Sequence, residues 1–141
     1  MKLSARLTGT VEVKALLLTL GKKAPEALEE VMNEEANSLM RDSQALVPID
    51  TGQLADSIYK RNLWSGTRRL EIEVGYSAVY AMVTHENPRS GKTGGFSPSG
   101  RPYKHWARTG QWKFLEQPFL ARTDGYSDRL KQGLYAYWLG V

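Results

Sequence analysis

Leu28, Met32, Ala36, Leu39 and Leu46 recur at the spacing of one helical face, with Val31 and Met40 widening the stripe. The pattern predicts a helix over about 25–47. Pro25 suits its first turn, and Glu26, Glu29 and Glu30 sit where a helix N-terminus is positive. Val47-Pro48 ends it, because a residue before proline disfavours helical backbone. Upstream, residues 3–8 alternate weakly and stop at Gly9, which reads as a short strand or arm. Residues 11–20 read as a helical turn or two closed by Gly21.

Thr51 is placed to cap a short helix carrying Leu54 and Ile58. Residues 58–64 then read as a strand, 65–67 as a turn and 69–75 as the partner strand. In that partner Leu70, Ile72 and Val74 point one way and Arg69, Glu71 and Glu73 the other. An antiparallel sheet with one face under helix and the other wet gives this alternation. Residues 76–84 fit helix or strand. Regular structure resumes near Phe114, and Leu130, Leu134 and Trp138 mark a C-terminal helix weakened by Gly133. The reading is one α+β domain over 1–141: a small antiparallel β-sheet packed against a long helix of the N-terminal half and a C-terminal helix.

From 86 to 112 periodicity disappears. This stretch holds five glycines and three prolines, and a structureless run of that length inside a compact domain is usually a functional loop. It is expected to be mobile in the isolated subunit and ordered on assembly. It also changes the charge picture. The formal charge is +4, yet residues 86–113 alone carry +5, from Arg89, Lys92, Arg101, Lys104, Arg108 and Lys113 against Glu86. Phe96, Tyr103, Trp106 and Trp112 interleave with these cations. Base stacking between phosphate contacts would use such a set. So would a protein interface, where Tyr, Trp and Arg are enriched. The interface reading is favoured, with Arg89, Lys92, Arg101, Tyr103, Lys104, Trp106, Arg108, Trp112 and Lys113 facing a subunit or partner. The alternative is a nucleic-acid-binding protein using the same loop.

Composition adds exclusions. With 141 residues, 41% hydrophobic and 24% charged, the chain is long enough for a real core. It has no cysteine, so disulfides and thiolate zinc sites are ruled out. The apolar run at 15–20 is too short to cross a bilayer, and the N-terminus lacks the apolar core of a secretory leader, so a soluble protein without membrane contact is expected.

Three local patterns imitate chemistry. Asp50-Thr51-Gly52 matches an aspartic-protease triplet, but that site needs a β-rich body, and here a long helix leads in. Ser90-Gly91-Lys92-Thr93 echoes a P-loop ending, but Glu86 stands where glycine is required and no helix follows. His85 and His105 have no ligand at metal spacing. No catalytic residue, metal site or cofactor site is expected.

Three blocks in order carry a resemblance. They are Val47-Pro48-Ile49-Asp50-Thr51-Gly52-Gln53-Leu54-Ala55-Asp56-Ser57-Ile58, then Tyr80-Ala81 followed by His85-Glu86, then Gln117-Pro118-Phe119-Leu120. Together they resemble the small neck proteins of long-tailed bacteriophages, called head–tail joining, tail-completion or minor tail proteins, over about 7–139. The resemblance implies a non-enzymatic virion protein of the neck, assembled in the host cytoplasm. It implies a homo-oligomeric ring, a hexamer favoured over a dodecamer, around the DNA channel. Its neighbours would be head-connector and tail-tube or tail-terminator proteins, with only weak non-specific contact to DNA. Within it Asp50, Thr51, Gly52, Leu54, Ser57, Ile58, Tyr80, Ala81, Pro118, Phe119 and Leu120 would be fold-determining positions.

Overall fold

The computed structural model describes residues 3–8, 21–49, 52–65, 69–88, 90 and 110–140. The expected helical turn at 11–20 and the caps Asp50 and Thr51 lie outside the described residues, as does the side chain of Trp138. The stripe of the N-terminal half becomes helix α1 (Ala24–Gln44), with Pro25 in its first turn. It buries Ala27, Leu28, Val31, Met32, Ala36 and Leu39, the three-and-four spacing of one face. Val47 is buried just beyond its end, before Pro48 turns the chain.

The short helix α2 (Gln53–Asp56) starts at Gly52, whose φ of 86° takes the left-handed cap position with no side-chain cap. Ile58 is not part of it, contrary to expectation. The helix closes after one turn because the backbone N–H and Oγ of Ser57 both donate to the Leu54 carbonyl, at 3.1 and 2.8 Å. Ile58 instead opens a strand, leaving Leu54 as the buried anchor.

Strands β1 (Leu3–Thr8), β2 (Ile58–Ser65) and β3 (Arg69–Tyr76) form an antiparallel sheet in the order β1-β3-β2. Leu70, Ile72, Val74 and Tyr76 of the central strand are buried on one face with Leu3 and Leu7. There the Tyr76 hydroxyl meets Ser43 Oγ of α1 at 2.7 Å, and burial pushes the phenol up to about 12. The opposite face is less wet than alternation implies. Glu73 is only 1% exposed, because Arg6 of β1 and Arg61 of β2 lie directly across from it in register and both pair with its carboxylate.

Three further helices complete the body: α3 (Ala81–Glu86), α4 (Glu116–Thr123) and α5 (Tyr126–Leu139). The ambiguous stretch after Tyr76 is thus a turn followed by helix. In α5, Leu130 and Leu134 are fully buried. Gly133, which on propensity weakens this helix, is where it meets α1: a β-carbon there would lie 2.7 Å from Val31 Cγ1. A partly buried ion network ties α1 to α4 and α5. Glu35 accepts from Arg129 Nε at 2.7 Å and from Arg122 Nη2 at 3.3 Å, while Arg122 also reaches Asp42.

Candidate functional site

Ser90 and Gly110 are the described residues that flank the basic segment, and a set of contacts holds both to the body. On the outgoing side Ser90 is buried and its Oγ donates to the Thr84 carbonyl at 2.7 Å. On the returning side the Gln111 N–H donates to the Leu46 carbonyl at 2.7 Å. Gly110, with φ of 80°, presses on the Val47-Pro48 backbone so closely that a β-carbon would sit 2.5 Å from it. The residue before the helix-stopping proline therefore also seats the end of the loop.

His85 joins the two sides. It is buried, and its Nε2 accepts the backbone N–H of Glu116, the first residue of α4, at 3.1 Å. With Nε2 an acceptor, the ring proton is on Nδ1, which faces Glu86 Oε1 at 2.9 Å. Burial holds the imidazole below its ordinary value of 6.5, outweighing the Glu86 carboxylate that favours the charged form. The Lys113 N–H donates to the His85 carbonyl at 2.8 Å. Its ammonium bridges Glu86 and Glu116, which keeps the Glu86 carboxyl below the usual carboxylate range. Phe114 packs edge-on against both His85 and Tyr76, with centroids 5.0 and 5.2 Å away.

These contacts make a mount that ties Ser90, Gly110 and the start of α4 to the body. Both imidazole nitrogens are engaged, and among the described residues no three His, Cys, Asp or Glu side chains converge as a metal site would require. No described helix is long and apolar enough to cross a membrane.

The expected interface residues divide sharply. Arg89, Lys92, Arg101, Tyr103, Lys104, Trp106 and Arg108 lie outside the described residues. Trp112 is half-buried, with the Lys113 ammonium 5.5 Å from its ring centre, so both belong to the mount. Glu86, the first residue of the expected loop, is the last of α3. Among the motif positions, Tyr80 and Ala81 start α3 against the core; Pro118 is buried, Phe119 half-buried and Leu120 exposed. Sequence reasoning missed Val79 and Val83, which are 95% and 70% exposed. Val79 lies in the turn before α3 and Val83 on α3 itself, and the apolar character of residues 76–84 was the available signal.

A family model matches residues 12–84, just over half of the 141 residues, under the description "Bacteriophage HK97-gp10, putative tail-component". The chain belongs to the HK97-gp10-like family. The matched span takes in α1, the Pro48–Ile58 block, the β2–β3 hairpin and most of α3. It stops short of the basic loop and the Gln117-Pro118-Phe119-Leu120 block, whereas the resemblance read from the residues continues to about 139. No curated protein and no solved structure matches the chain. HK97-gp10-like membership makes this a tail component with a structural role in the virion.

Proposed function

We propose that this HK97-gp10-like protein forms a ring at the head–tail junction, completing the tail or joining it to the head around the DNA channel. A hexamer is favoured over a dodecamer. Head-connector and tail-tube or tail-terminator proteins are its neighbours. The observation that supports this reading is the mount: residues 91–109 hold four basic residues and no acid, and the described residues on either side of them are fixed to α1, α3 and α4. Among the described residues β1 and β2 are the sheet edges, and an edge strand invites pairing with another chain.

Negative-stain images of the purified protein, alone and with tail tubes, test the ring. A closed ring in either sample is expected. Replacing 91–109 by a short Gly-Ser linker should leave the fold intact and abolish head–tail joining. A monomer in both samples, with infectious particles from the shortened variant, would overturn the reading. DNA binding by the monomer that falls steeply with salt and needs the loop would transfer the function to nucleic-acid binding.

A further inference from the structure

Residues 110–116 cross α3 as a strap, and three of the contacts that hold it there come from a single residue. The His85 carbonyl accepts the Lys113 N–H at 2.8 Å, and its Nε2 accepts the Glu116 N–H at 3.1 Å. Its ring meets Phe114 edge-on, with centroids 5.0 Å apart. His85 is only 2% exposed, so the closed strap keeps the imidazole out of solvent. The strap is also strained: Lys113 holds a φ of 55°, left-handed backbone that is costly for a residue with a β-carbon.

Of the three contacts, the one at Nε2 can be reversed by a proton. A neutral imidazole has one donor and one acceptor, whereas an imidazolium has two donors and no acceptor. Protonation therefore sets one N–H against another at the start of α4. Among the described residues the charged groups acting on the ring are Glu86 of α3, Lys113 of the strap and Glu116 of α4. Burial is the largest influence and opposes the charge, as does Lys113; the two carboxylates favour it. Opening the strap hydrates the ring, removes the N–H clash and frees the Lys113 backbone, so the open form takes up the proton more readily. Opening need not spread. Further along α4, Arg122 stays paired with Glu35 and Asp42 of α1, and the buried Val74, Leu130 and Leu134 belong to β3 and α5.

We propose that acid releases residues 110–116 from α3 locally, with His85 as the switch and the rest of the fold in place. Native-state hydrogen exchange on the full chain tests this, with rates corrected for the intrinsic pH dependence of amide exchange. From about pH 7.5 to 5.5 the Lys113 and Glu116 amides should lose up to about tenfold in protection, following a histidine whose open-state value is the ordinary 6.5. That loss should depend little on low concentrations of urea, the mark of local opening, while β3 amides keep the steep dependence of global unfolding. Glu86, held below 4.5, does not titrate in this range. His85→Gln should make strap protection flat with pH, and His105→Gln should leave the parent profile unchanged. Constant protection at Lys113 and Glu116 in the parent, or a urea dependence equal to that of β3, would overturn the proposal. If His85→Gln does not fold, the parent's ring decides: an NMR titration of His85 at or above 6.5 would show that the closed strap does not resist the proton. A monomer and a ring would give the same strap behaviour, so this inference and the assembly reading fail separately.

Discussion

His85 caps a helix that begins 31 positions later: its Nε2 accepts the first N–H of α4, donated by Glu116 at 3.1 Å. That bond exists only while the imidazole is neutral. Above the ordinary value of 6.5 the histidine is neutral in both folded and unfolded chains, so it adds no pH dependence. As pH falls below 6.5, the unfolded chain takes up a proton that the folded one resists. Stability should then decline, by at most about 1.4 kcal/mol per pH unit, until the lowered folded value is passed. Glu86, also held low, loses its contribution only as pH falls below about 4.5. Urea midpoints between pH 4.5 and 6.5 should therefore slope in the parent and be flatter in His85→Gln. Equal slopes would show that His85 does not titrate with folding.

Gly133→Ala should destabilise although alanine is the better helix former. The added methyl meets Val31 Cγ1 at 2.7 Å, and a β-branched side chain has little rotamer freedom to move aside. A loss of about 1–3 kcal/mol is expected by chemical denaturation. Val31→Ala in the same chain should recover part of it. A stabilised single variant would show that α1 and α5 are not in contact there.

Glu35→Gln leaves two guanidiniums facing a neutral amide. Arg122 and Arg129 keep 24% and 35% exposure, so the cost should fall near the lower end for a broken buried pair, about 3 kcal/mol. Denaturation at neutral pH reads it. A change below about 0.5 kcal/mol, as for ordinary surface positions, would show the network to be incidental.

Gly52 and Gly110 separate backbone strain from crowding. Both have positive φ, but a β-carbon at Gly52 meets nothing nearer than Asp56 Oδ2 at 3.9 Å, whereas at Gly110 it strikes the Val47-Pro48 backbone at 2.5 Å. Gly52→Ala should cost on the order of 1 kcal/mol, from conformation alone. Gly110→Ala should cost more and expose the Gln111 amide, which hydrogen exchange would detect. The reverse order of melting temperatures would mean that the loop end is not seated on the α1 terminus.

What the sequence disclosed depended on distance along the chain. Leu28, Met32, Ala36 and Leu39 announce α1 because their period is local, and Leu70, Ile72 and Val74 announce β3 for the same reason. Glu35 carries no local sign of its role. Its partners Arg122 and Arg129 stand 87 and 94 positions away, so no window shows them together. Glu73 read as solvent-facing by alternation, which registers the face but not the two arginines that close over it. The role of His85 is silent in the sequence because its partner is a backbone N–H, which leaves no mark on residue type.

The sheet order also fixes a sequence of events. Strands β2 and β3 are joined by three residues and can pair as soon as both exist. Strand β1 pairs with partners 63 to 73 positions further on, a closure whose entropy cost is met late. On the ribosome, β1 emerges first and waits for Tyr76 to be made. Until it docks, the central strand shows an unpaired edge to every other copy being synthesised nearby, so exchange of N-terminal strands between protomers competes with self-closure in that interval. Of the three described strands, β1 is made before its partner and has the longest loop to close.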